Sequence, residues 1–101
     1  MANPIPRRLT QARQLCGLSQ RQLGIQAGID PGSASPRINQ YERGKHTPDY
    51  STLSRLAEVL AVPVPYFYAE DDVLAETIRL LGQLNRKQRR ELLDQIKKTC
   101  A

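Results

Sequence analysis

Residues 18–44 read LSQRQLGIQAGIDPGSASPRINQYERG: two short helical patterns separated by a break rich in glycine, proline and serine. The first pattern has an unusually well-marked start. Ser19 is a strong N-cap, and Gln22 three residues on completes a capping box. Leu18 before the cap and Leu23 at the fourth helical position match a hydrophobic staple. The helix is expected to run to Ala27 and stop at Gly28, a natural C′ glycine. Gly24 lies inside it and weakens it by roughly 1 kcal/mol relative to alanine. Glycine is tolerated at such a place where another backbone passes close by.

The second pattern follows Asp30-Pro31-Gly32, which is turn chemistry. Two caps are available. Ser35 would put Pro36 at the first helical position, where its missing N–H is harmless; Ser33 would put it in the third. Ser33 is favoured, because Ala34 then joins Ile38 and Tyr41 in an apolar row at i, i+4, i+7. Gly44 closes the helix. At 100° per residue Ala34, Ile38 and Tyr41 share one face, and Glu42 borders it. The other side holds Ser33, Pro36, Gln40 and Arg43, flanked by Arg37 and Asn39, with no carboxylate. Solvated helix faces usually mix Glu with Lys, and this one does not. Its guanidinium and amide groups suit base edges: arginine pairs with guanine O6/N7, and Asn or Gln with adenine N6/N7.

A short capped helix, a tight connection and a second helix with a polar outer face form a helix-turn-helix. In that motif the first helix crosses the DNA backbone and the second enters the major groove. Ser19, Gln20 and Arg21 open the first helix, whose free N–H groups and positive dipole end suit a phosphate. Charge is consistent with this placement. The 101 residues carry a formal net charge of +5, and the pI is about 9.6. Residues 1–69 hold eight Lys/Arg against four Asp/Glu, and residues 70–101 seven against six, so the excess sits in the segment that contains the two helical patterns.

The remaining chain supplies a frame. Ile5, Leu9, Ala12 and Cys16 recur as one helical stripe, widened by Leu15 and ended by Gly17. Cys16 is expected to be a small buried apolar residue. Leu53, Leu56, Ala57 and Leu60 form a further stripe, and PYFYA reads as one short helix. Tyr66, Phe67 and Tyr68 are expected to pack under the domain, the alternative being a stacking platform for single-stranded nucleic acid.

The runs LSQRQLGIQAGI, INQYERG and TPDYSTLSRLAEVLAVP, in this order, resemble the Cro/repressor (Xre) helix-turn-helix family over roughly residues 7–68. The resemblance implies an all-α, five-helix repressor-like domain that binds operator DNA, usually as a dimer. It implies a partly buried ion pair between Arg13 and Glu42, with the arginine near a phosphate. Ser19 and Gln20 then match phosphate-contacting positions, Arg37 and Gln40 base-reading positions, and Lys45 and His46 the loop along the backbone. Between GID and Ile38 the chain has about four residues more than the family pattern, either a longer connection or an extra turn on the recognition helix. Gly24 and Ala61 stand where the family usually has Ala and Gly.

Residues 70–101 lie beyond the resemblance and read as a C-terminal helical extension. Acidic residues open one helix, and Asn85 with Gln88 form a capping box for another. Two short amphipathic helices cannot bury their stripes alone. They either fold back on the domain of residues 1–69 or, the preferred reading, form a dimer through Leu81, Leu84, Leu92 and Ile96. The basic residues Arg86, Lys87, Arg89 and Arg90 are interleaved with Glu91 and Asp94, as on a solvated face.

Other function classes find little. No segment is apolar enough to span a bilayer, and the N-terminus lacks a secretory h-region, so a cytoplasmic protein is expected. Cys16 and Cys100 are expected to be reduced thiols. No metal cluster, cofactor motif, small-molecule site or catalytic constellation is recognisable, and His46 has no partner nucleophile. The expectation is a non-enzymatic, sequence-specific DNA-binding regulator, a repressor that occupies a palindromic operator as a homodimer. The alternative is a protein-interaction module, such as an antitoxin, on the same fold. An RNA binder is a third possibility.

Overall fold

The computed structural model describes residues 3–101. Its elements are α1 (Ile5–Leu15), α2 (Gln20–Gln26), α3 (Pro31–Glu42), α4 (Tyr50–Leu60), a 3-10 helix (Val64–Tyr68), α5 (Asp72–Leu81) and α6 (Arg86–Cys100). No strand occurs among the described residues. None of these helices is long and apolar enough to cross a membrane.

The core is drawn from every element up to the 3-10 helix, with Ala75 of α5 added to it. Leu9, Leu23, Ala34, Ile38, Leu53, Leu56 and Phe67 are completely buried. The caps act as their sequences dictate. Ser19 Oγ accepts from Gln22 N at 3.0 Å while Ser19 N donates to Gln22 Oε1 at 2.8 Å. Asn85 and Gln88 repeat the box at the start of α6.

Gly24 is where α2 and α3 meet. A Cβ there would lie 2.7 Å from Ala34 Cβ and 2.9 Å from Ala34 Cα, well inside van der Waals contact. The two helices of the motif approach this closely only because one has no side chain. Ala61 is the reverse case: it caps α4 in the left-handed region, φ 57°, without being glycine.

Three sequence expectations need correction. The cap of α3 is Asp30, not Ser33 or Ser35: its carboxylate accepts from Gly32 N at 3.1 Å, and Pro31 opens the helix. Asp-Pro is as good a helix start as a turn, since proline's fixed φ suits the first position. The additional residues therefore lengthen the recognition helix, and Pro36 lies inside it. The carbonyl that Pro36 cannot serve belongs to Gly32, which is exposed to solvent.

Cys16 and Leu15 are exposed, not buried. Cys16 is the C-cap of α1, where the stripe runs past the end of the core, and its thiol donates to the Leu60 carbonyl at 3.5 Å. Leu15 faces an open groove between α1 and α5. Tyr66 and Phe67 are buried as expected, edge to face at 5.8 Å, whereas Tyr68 turns outward.

The extension divides into two unlike helices. The start of α5 is tied to α1, its Ala75 is buried and Ile78 packs on the core. A Cβ on Gly82 would meet Pro63 Cδ at 2.7 Å, so the end of α5 is seated on the chain below. By contrast α6 buries no residue. Its tie to the rest is Arg89, which donates to the carbonyls of Leu81 and Gly82 at 2.9 and 3.1 Å.

Candidate nucleic-acid interface

The helix-turn-helix is α2, the four residues Ala27–Asp30 and α3. Gly28 at φ 89° reverses the chain, and Ile29 N donates back to the Gly24 carbonyl at 2.9 Å. This tight connection sets α3 across α2 with Ala34, Ile38 and Tyr41 in the core. Twelve residues make α3 about 18 Å long.

Glu42 at the end of α3 fixes its orientation. Its carboxylate accepts from Arg13 Nε at 2.6 Å and Arg13 Nη2 at 3.1 Å, a bidentate pair. The side chains are 16% and 7% exposed. Arg13 Nη1 also donates to the Leu18 carbonyl at 3.0 Å, so one guanidinium ties α1, the α2 entry and α3. The hydrogen bond to Glu42 raises the arginine's pKa above its ordinary value. Gln20 Nε2 donates to Glu42 Oε1 at 3.1 Å. That bond uses one of two amide N–H groups and leaves the other to donate outward.

The outward face of α3 carries Pro36, Asn39, Gln40, Arg37 and Arg43, with Ser33 and Ser35 on its shoulders; Pro36, Arg37 and Arg43 are exposed and the rest partly so. Between Pro31 and Arg43 the single carboxylate is Glu42, and it is turned inward. Among the described residues Arg21, Arg37, Arg43 and Lys45 form no ion pair. After α3 the chain turns at Gly44, φ 74°, and Lys45 N and His46 N both donate to the Gln40 carbonyl, at 3.0 and 3.4 Å. Lys45 and His46 are thereby brought beside Gln40. A polar cleft runs from Arg37 and Gln40 to His46, Thr47, Asp49 and Thr52, and the Asp49 carboxylate in it caps α4 by accepting from Thr52 N at 2.8 Å.

Ser19 and Arg21 are exposed at the start of α2, next to Gln20. Gln20 is thus tied to the end of α3 through Glu42, and Lys45 and His46 through the Gln40 carbonyl. Arg13 differs: it is largely covered and serves first to hold Glu42. Sequence reading did not single out Tyr50, which is 72% exposed at the first position of α4. Its place directly after the Asp49 cap was the available signal. It also missed Arg8, a buried arginine on α1.

A family model described as helix-turn-helix matches residues 9–67, more than half of the chain. The chain belongs to the Cro/Xre helix-turn-helix family of DNA-binding regulators. Such a member is a DNA-binding protein rather than an enzyme. A solved structure titled transcriptional regulator BswR superposes on this helix-turn-helix protein with a TM-score of 0.84. The two share 44% sequence identity, and the match covers 92% of each chain, so it includes the C-terminal extension. No curated protein sequence matches the chain.

Proposed function

We propose that the protein is a sequence-specific transcriptional regulator that occupies a palindromic operator as a homodimer, acting as a repressor in the cytoplasm. The observation that carries this reading is the outer face of α3, where arginines and amides stand without a carboxylate or an ion-pair partner. Gln40, Asn39, Arg37 and Arg43 are the base readers in this account, with Ser33, Ser35 and Pro36 at the groove walls. Ser19, Gln20, Arg21, Lys45 and His46 contact phosphates, and Arg13 lies close behind them. The likeness to a chain titled a transcriptional regulator supports the same reading.

The dimer is argued from α5 and α6. The side of α5 opposite buried Ala75 exposes Val73 and Leu80 at 74% and 46%, and Leu74 stands on a flank at 52%. On α6, Leu93 and Ile96 are 41% and 45% exposed. Leu81, Leu84 and Leu92 are half-buried and border these residues. A solitary 15-residue helix is marginal in water, so α6 calls for a partner, and a second copy supplies one with the same stripe.

Paired variants test the assignment. Gln40→Ala is expected to weaken binding to a duplex selected from a random pool by about 1–3 kcal/mol, with little change on random duplex. Lys45→Ala is expected to weaken both and to make the salt dependence shallower. Equal losses for Gln40→Ala on both duplexes would remove it from base reading. An antitoxin-like interaction module would show no sequence preference at all.

A further inference from the structure

We propose that Arg8 is a positioning residue for operator recognition: it fixes α5, and with it the second subunit, at a set angle to the recognition helix. The proposal rests on the dimer reading above. Arg8 is 1% exposed, yet nothing in the helix-turn-helix uses it. Its Nε donates to the Ala69 carbonyl at 2.7 Å and its Nη2 to the Glu70 carbonyl at 2.9 Å. Its Nη1 donates to Gln11 Oε1 and to Asp72 Oδ1, both at 2.9 Å. Arg7 adds a second bond to the Glu70 carbonyl at 2.8 Å. Every contact beyond Gln11 lies in the short segment that joins the 3-10 helix to α5 or, at Asp72, on the first residue of α5 itself.

A three-residue joint, Ala69 to Asp71, would ordinarily let α5 swing. Tying the Ala69 and Glu70 carbonyls and the Asp72 carboxylate to one planar guanidinium restricts that freedom, because the fork holds several acceptors in one fixed geometry. The same α1 carries Arg13 five residues on, about 7.5 Å along the axis, where it grips Glu42 of α3. One rigid helix therefore holds the dimerising element by Arg8 and the recognition helix by Arg13. Two recognition helices must stand about 34–36 Å apart to meet successive major grooves. The distance is transmitted from the dimer face to α3 through α1, and Arg8 is the first link.

The test uses the full-length chain, a palindromic duplex selected from a random pool by the wild-type protein, and a half-site duplex cut from it. Arg8→Lys keeps the charge but cannot reach Ala69, Glu70 and Asp72 together; Asp72→Asn perturbs the same joint more gently. Both variants are expected to remain dimers by light scattering and to bind the half-site within about twofold of wild type. Arg8→Lys is expected to bind the palindrome at least about tenfold more weakly, a partial loss of bivalency. Its preference among palindromes with half-sites moved one or two base pairs closer or further is expected to flatten. Asp72→Asn should show the same pattern in weaker form. A dimeric Arg8→Lys with wild-type palindrome affinity and spacing optimum overturns the inference. Parallel losses on half-site and palindrome, or a monomeric variant, also overturn it, since Arg8 would then serve folding or assembly alone. A monomeric wild-type chain would instead refute the dimer reading on which the inference stands.

Discussion

Removing the Glu42 carboxylate is expected to destabilise the fold by about 3–4 kcal/mol, out of a total of about 5–15 kcal/mol for a domain of this size. The magnitude follows from what the side chain touches. Glu42 accepts two charge-assisted bonds from Arg13 and one from Gln20, with its own side chain 7% exposed. In Glu42→Ala the guanidinium keeps the Leu18 carbonyl at 3.0 Å but loses its counter-ion. At 16% exposure Arg13 can recover little hydration. Breaking a buried pair on one side costs about 3–5 kcal/mol, and the partial exposure of Arg13 places the figure at the lower end. Glu42→Gln, which retains an acceptor without the charge, should cost about half as much. Urea unfolding followed by far-UV circular dichroism gives each value, and a double-mutant cycle with Arg13→Met isolates the pair. Its coupling energy should exceed about 2 kcal/mol. A coupling below about 0.5 kcal/mol, the range of exposed surface pairs, would refute the claim that this contact fixes α3.

Gly24→Ala gains helix propensity of about 1 kcal/mol but forces α2 away from the Ala34 backbone, so a net loss of about 2 kcal/mol and weaker operator binding are expected from urea unfolding and duplex titration. A stabilised variant would mean that the two helices separate freely. Ala61→Gly should raise stability by about 0.5–1 kcal/mol, because it relieves a left-handed φ of 57° against glycine's greater unfolded-state entropy. An unchanged or lower denaturation midpoint would show that Ala61 bears no strain.

Much of the architecture was legible because local signals agreed with one another. The capping boxes at Ser19 and Asn85, the stripes of α1 and α4 and the apolar row of α3 each have a single sensible outcome. The start of α3 was ambiguous because Asp30-Pro31-Gly32 has the chemistry of a turn and of an N-cap followed by N1. In the structure the Asp30 carboxylate accepts from Gly32 N and Pro31 opens the helix, so the capping reading prevails. Periodicity assigned Leu15 and Cys16 to the core, but it cannot say where the core beneath a stripe ends. Arg8 was invisible for a different reason: its main-chain acceptors lie more than sixty residues away, and carbonyls leave no mark in a sequence. The outward residues of α3 were legible from the helical wheel alone. What a wheel could not show is that Lys45 and His46 fold back onto the carbonyl of Gln40.

Selection of duplexes from a random pool by the full-length chain, followed by the mass of the selected complex, tests the central claim most directly. The expected result is an enriched motif of two inverted half-sites, about 10–10.5 base pairs between centres, bound by two chains. A pool that stays unenriched after repeated rounds, with the chain bound equally to every duplex, would contradict it.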